Sequence, residues 1–107
     1  PRSQGWGTET VEAVCNYVPM KDVPDALQSK YLGVQANFWT EWVEDASTVQ
    51  YLTFPRLAAV AEAGWTPQSE RSYTNFEQRL QAEPAFYKAA GVNYGKHVFG
   101  KTKNKAQ

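Results

Sequence analysis

Length sets the tightest limit on this chain. At 107 residues it can enclose one modest core but not two, and a closed barrel of eight β/α units, which takes about 250 residues, is beyond it. A whole large enzyme is thereby excluded, and the pattern of residues must say which smaller architecture is supported. One stretch alternates cleanly at period two: in GVQANFWTE, Val34, Ala36 and Phe38 interleave with Gln35, Asn37 and Trp39, the signature of a strand. Glu41, Glu44 and Asp45 mark the exit into a loop, so polar and aromatic groups gather at the strand's carboxyl end. The segment VEAVCNYV, residues 11–18, reads either as a short strand or as a helical turn. A lone strand leaves its backbone groups without partners, so this one must pair with another copy of the chain, pair with residues 11–18, or rearrange.

The rest of the chain has helical spacing. Pro24 after Asp22 fits a helix start, making PDALQSKY a short helix that Gly33 terminates. Ser47 with Gln50 three places on forms a capping box, which predicts a helix from Thr48 to about Gly64. One stripe of that helix holds Val49, Thr53, Leu57, Val60 and Gly64, and a second holds Tyr51, Phe54, Ala58, Ala61 and Trp65. A surface that wide implies burial against more than one neighbour. Pro55 should bend the helix by removing a hydrogen bond and crowding the carbonyl four residues back. Thr74 and Glu77 form a second capping box for NFEQRLQA, and Pro84 opens a further helix that Gly91 stops. Residues 1–10 are polar and glycine-bearing and are read as a disordered end or cloning scar, and residues 95–107 as a flexible basic tail that frays after Tyr94. The expected class is mainly α with one or two short strands.

Composition narrows the partners. Eleven basic residues balance eleven acidic ones, so there is no long-range pull on nucleic acid or anionic lipid. No apolar run approaches the roughly 20 residues that a spanning helix requires. One cysteine, Cys15, and one histidine, His97, provide neither an internal disulfide nor a zinc constellation, and no metal or organic cofactor is expected. Cys15 reads as an ordinary thiol, and His97, beside Lys96 and Lys101, as part of a solvated end. The deviation lies in aromatic content, 14% with four tryptophans, because an indole serves equally as core filler and as a flat platform for a ligand.

Trp39 and Glu41 lie two apart at the strand's end and point to one side if the extended backbone persists. An indole face beside a carboxylate suits a sugar, with C–H groups stacked on the ring and hydroxyls donating to the carboxylate. On spacing alone the plainer reading is the stronger: Trp39 fills core and Glu41 is solvated. Arg56 and Glu62 read as helix packing and charge pairing, Trp42 as a rim or packed residue, and Trp65 as core.

The segment GVQANFWTEWVEDASTVQYLTFPRLAAVAEAGWT resembles the last strand and last helix of the barrel in family 20 glycoside hydrolases, the β-N-acetylhexosaminidases. Their pattern is approximately G-x-Q-x-x-L-W-x-E followed by P-R-x-x-A-x-x-E-x-x-W. Gly33, Gln35, Trp39, Glu41, Pro55, Arg56, Ala59, Glu62 and Trp65 stand in the corresponding places. NYVPMKDVP and AAGVNY resemble the flanking segments more loosely, so the likeness spans roughly residues 11–94. It implies the carboxyl-terminal piece of a (β/α)8 barrel: strand 8, helix 8 and trailing helices, not a complete barrel. It also implies that Trp39 walls the subsite of the terminal N-acetylhexosamine and that Glu41 accepts hydrogen bonds from its O4 and O6 hydroxyls. A periplasmic or secreted setting follows from the same likeness, although the sequence itself fixes no compartment.

Family members hydrolyse with an adjacent Asp-Glu pair, the aspartate orienting the substrate's own acetamido group as nucleophile, an exception to the two-carboxylate scheme. The only acidic dipeptide here, Glu44-Asp45, has the reverse order and follows the strand. The resemblance therefore implies a retaining, substrate-assisted enzyme for terminal β-linked GlcNAc or GalNAc, of which this chain carries substrate-binding residues and no catalytic ones. The chain alone is expected to be inactive and to form a homo-oligomer through the strand edge or the helix's apolar stripes. Two other readings stand beside this one: a small helical interaction module without activity, and a free-standing carbohydrate-binding module.

Overall fold

The computed structural model describes residues 10–103. Its first helix, α1 (Val11–Cys15), decides the ambiguous segment in favour of a helical turn. Thr10 caps it, its hydroxyl accepting from the Ala13 N–H at 3.1 Å, and Val11 and Cys15, four apart on one face, are buried. The short α2 (Asp25–Gln28) follows Pro24 as expected but ends at Gln28, before the Gly33 stop that the sequence predicts.

The long helix predicted from Thr48 is instead two helices, α3 (Ala46–Thr53) and α4 (Arg56–Trp65). Pro55 does more than bend the chain. A residue before proline is pushed out of the helical region, and Phe54 is extended at φ −102°, ψ 134°. The cap is also two residues earlier than the Ser47 box predicts: Asp45 accepts from the Thr48 N–H at 2.7 Å, its carboxylate being the stronger acceptor. α5 (Tyr73–Leu80) likewise starts earlier, capped by Ser72 in place of Thr74. α6 (Glu83–Ala90) has Pro84 in its first turn and ends on Gly91 at φ 70°. There the Val92 N–H donates to the Tyr87 carbonyl at 2.8 Å and the Gly91 N–H to Lys88 at 3.2 Å, a Schellman closure that favours glycine.

The core forms where α1 and α5 meet α4. Val11, Cys15, Ala59, Phe76 and Leu80 are buried together, with Tyr73, Val98 and Phe99 packed against them. The alanines of α4 keep it thin, so α1 can lie close. Arg71 ties the layers: its guanidinium donates to the carbonyls of Cys15, at 3.0 Å, and Tyr17, just past the end of α1. A second, aromatic cluster runs through Phe54, Tyr87, Tyr94 and Phe99, with ring centroids 5.1 to 5.7 Å apart. In the segment expected to fray after Tyr94, Lys96–Lys103 is a 3-10 helix, and Val98 and Phe99 hold it to the core. The predicted loose end lies outside the described residues except for Thr10.

No strand is present among the described residues, which corrects the expected one or two. Residues 31–40 are nonetheless without helix or turn, and the described residues offer no ladder partner: their backbone hydrogen bonds leave Leu32 to Trp39 unpaired. The alternation is present as extended backbone, but a strand exists only once a neighbour accepts its hydrogen bonds, and of the segment that could have supplied one, residues 11–18, the first five are helical and none is strand.

Candidate functional site

The run from Gly33 to Thr40 is positioned by one close approach. A Cβ at Gly64, on α4, would stand 2.7 Å from Cγ2 of Val34, so glycine there lets the helix lie directly beneath the extended segment. Val34, half-buried, thus faces α4. The alternate residues take the other side: the Gln35 amide donates to the Asn37 side-chain oxygen at 2.6 Å, as two groups on one face of an extended backbone can.

Trp39 is next on that open face, 76% exposed, and so does not fill the core. Beyond it the backbone turns, the Val43 N–H donating to the Thr40 carbonyl at 3.1 Å. Glu41 stands in this turn, exposed, and its direction is set by the turn and no longer by the period of two. Trp42, also in the turn, is 92% exposed. Both predicted site residues therefore lie at the carboxyl end of the extended run, in the open. Asn37, which spacing did not single out, shares the face of Gln35 and Trp39, and its signal is its even separation from those two residues.

The other marked residues are structural. Asp45 is committed to capping α3, and the bond from the Thr48 N–H holds its carboxyl below the usual aspartate range. Pro55 and Ala59 are buried. Glu62, only 7% exposed, meets the Arg79 guanidinium at 2.5 Å, and Arg79 also donates to Asn75 at 2.8 Å, which is the charge pairing expected of Glu62. Trp65 departs from expectation: it is 90% exposed, because the last residue of α4 extends past the elements that cover the helix. Cys15 is buried, and burial raises its thiol pKa, leaving little of the nucleophilic thiolate. His97 approaches the Tyr51 hydroxyl through Nδ1 at 3.3 Å. Asn93 is a contact that sequence reasoning missed: its N–H donates to the Gln50 side chain at 2.9 Å and its amide to the Ser47 hydroxyl at 2.9 Å, docking the GVNY loop onto α3.

Among the described residues no group of three or more His, Cys, Asp or Glu side chains could hold a metal ion. Nor is any of their helices long and apolar enough to cross a membrane.

An extended segment seated on a following helix, with a polar and aromatic face left open at its carboxyl end, is the arrangement found where strand and helix alternate and ligands bind beyond the strand ends. Residues 1–68 match the description "Glycosyl hydrolase family 20, catalytic domain", and the chain belongs to that family. It is 35% identical over 89 residues to a beta-hexosaminidase of Porphyromonas gingivalis, covering 82% of this chain and 12% of that protein. With a beta-hexosaminidase of Akkermansia muciniphila it shares 35% identity over 80 residues, 74% of this chain and 16% of that one. A solved family 20 exo-β-N-acetylglucosaminidase from Vibrio harveyi, in complex with N-acetylglucosamine, superimposes with a TM-score of 0.72 at 36% identity, over 78% of this chain and 14% of that structure. The chain thus spans a small part of the length of the relatives it matches. The family match also takes in the first ten residues, read from sequence as a loose end.

Proposed function

We propose that this chain is the strand 8, helix 8 and trailing-helix portion of a retaining, substrate-assisted β-N-acetylhexosaminidase acting on terminal β-linked GlcNAc or GalNAc. Trp39 stacks on the sugar and Glu41 accepts from its O4 and O6 hydroxyls. What carries the reading is the division of faces along the extended run. Val34 seats on α4 at Gly64, while Gln35, Asn37 and Trp39 are left for the inner, ligand-bearing side. The family membership and the N-acetylglucosamine in the Vibrio harveyi structure supply the substrate class.

The chain brings substrate-binding groups and no catalytic pair. Its acidic dipeptide has the wrong order, and Asp45 is occupied as a helix cap. Trp39 and Glu41 alone form one side of a pocket, so the isolated chain neither hydrolyses nor retains the sugar. Two measurements test this. The isolated chain should release no chromophore from a chromogenic N-acetylglucosaminide above the level of its Glu41→Gln variant. Joined in frame to the preceding part of the barrel from a β-hexosaminidase relative, it should support hydrolysis that Trp39→Ala or Glu41→Gln each lowers by about ten- to a hundredfold, the worth of a stacked ring or a charge-assisted hydrogen bond at about 1.5–3 kcal/mol. Hydrolysis by the isolated chain that depends on its own carboxylates, or a fusion indifferent to both substitutions, would overturn the proposal.

A further inference from the structure

We propose that Asn93 is a positioning residue for Glu41, acting through α3; the inference rests on the reading of Glu41 as a sugar ligand. Glu41 stands in the turn closed by the bond from the Val43 N–H to the Thr40 carbonyl, and a turn holds its direction only as firmly as the elements on either side of it. Upstream, the extended run is seated on α4 through Val34 and Gly64. Downstream, the chain enters α3 (Ala46–Thr53) at the Asp45 cap, four residues past Glu41. α3 cannot take its orientation from α4 along a continuous helix, because the extended Phe54 separates the two. Its orientation comes from tertiary contacts.

Asn93 supplies three of them to one turn of helix. Its side-chain amide donates to the Ser47 carbonyl at 3.1 Å and to the Ser47 hydroxyl at 2.9 Å, and its backbone N–H donates to the Gln50 side-chain oxygen at 2.9 Å. An amide NH2 has two hydrogens, so each serves one acceptor. Ser47 and Gln50 have the spacing of a capping box, yet Asp45 holds the cap, and both box side chains receive Asn93 instead. Neighbouring residues continue the strap along the helix. His97 meets the Tyr51 hydroxyl through Nδ1 at 3.3 Å, and the Gly95 N–H donates to the Phe54 carbonyl at 2.8 Å. Tyr94, buried between Asn93 and Gly95, anchors the strap against Tyr87 and Phe99. The strap therefore grips α3 from its first turn to its end, and the first turn is where the loop bearing Glu41 is attached.

Displacing a binding group by about 1 Å costs up to about a hundredfold in rate. In the fusion enzyme, Asn93→Ala should lower kcat/KM for an aryl β-N-acetylglucosaminide by about tenfold, but by about threefold or less for its 6-deoxy analogue, which has already lost one of the two contacts of Glu41. Ser47→Ala with Gln50→Ala removes the side-chain acceptors and should reproduce that discrimination, and adding Asn93→Ala to the pair should cost little more. In the 107-residue chain itself, Asn93→Ala should speed hydrogen exchange by about tenfold or more at the amides of Val43, Thr48 and Val49, whose bonds close the turn and cap α3. The amides of α6 (Glu83–Ala90) should be unchanged. Equal losses on both substrates, as a merely structural defect gives, or unchanged exchange at those three amides would overturn the proposal. A wild-type fusion indifferent to the 6-hydroxyl overturns the reading of Glu41 itself, and the proposal with it, whereas an O6 penalty that survives undiminished in Asn93→Ala overturns the proposal alone.

Discussion

Replacing Gly64 with alanine should reverse the sign of its effect according to what stands at residue 34. In a helix alanine is favoured over glycine by about 1 kcal/mol in the interior. At the next-to-last position of α4 (Arg56–Trp65) about half of that is expected. Against it stands the 2.7 Å approach of the new Cβ to Val34 Cγ2, an overlap with a stiff β-branched side chain that cannot swing away freely. Overpacking of this kind costs about 1–3 kcal/mol, so Gly64→Ala should destabilise the chain by about 1–2 kcal/mol. Val34→Ala removes Cγ2, and in that background the same Gly64→Ala change should stabilise by about 0.5 kcal/mol, leaving a coupling near 2 kcal/mol. Urea unfolding of the four proteins, followed by circular dichroism, measures the cycle. An equal effect of Gly64→Ala in both backgrounds would refute the packing of Val34 on α4, and with it the assignment of Gln35, Asn37 and Trp39 to the opposite face.

Arg71→Ala should destabilise by about 1–2 kcal/mol, since two carbonyls at the end of α1 lose a charged donor, and Arg71→Lys should recover less than half, because both bonds come from Nη1 of a planar group that is pre-organised in a way a flexible lysine stem is not; loss of amide protection confined to residues 11–17 is the accompanying hydrogen-exchange signature. Tyr87 is pushed up to about 12, first by burial and then by the nearby Glu83. Its neutral form is favoured in the folded chain, so the associated stability is full below the unfolded pKa of about 10 and drains away as pH climbs toward 12, by about 1–2 kcal/mol. A Tyr87→Phe variant should have a flatter alkaline limb in pH-dependent unfolding, and an unchanged limb would remove Tyr87 as the cause.

Local signals in the sequence were read well where the physics is local. Pro84 and Gly91 bracket α6 because a missing N–H and a left-handed φ are properties of single residues. The period of two over residues 33–39 gave the extended backbone and its two faces, yet not the missing ladder, which depends on a neighbour the pattern cannot contain. Ser47 was a sound cap by composition, but Asp45 offers a carboxylate within reach of Thr48, and competition between two adequate caps is settled by how the chain enters the helix. Glu62 was legible as a charge to be paired, although its partner Arg79, seventeen residues on, was not. Arg71 and Asn93 act across 40 residues or more, and nothing in their immediate sequence marks such contacts. At the candidate site, spacing alone left Trp39 and Glu41 closer to core and solvent than to sugar, and the longer pattern from Gly33 to Trp65 carried the functional reading. Trp65, whose indole at the end of a helical stripe reads as core, is left open by its place at the end of α4.

The most direct test of sugar recognition compares two substrates in the fusion enzyme: an aryl β-N-acetylglucosaminide and its 6-deoxy analogue. If Glu41 accepts from the O6 hydroxyl, deleting that hydroxyl lowers kcat/KM by about ten- to a hundredfold in the wild-type fusion, a loss of about 1.5–3 kcal/mol. In Glu41→Gln the same deletion should cost only a few-fold, because the charged acceptor is already gone. An equal penalty in both enzymes would contradict the account.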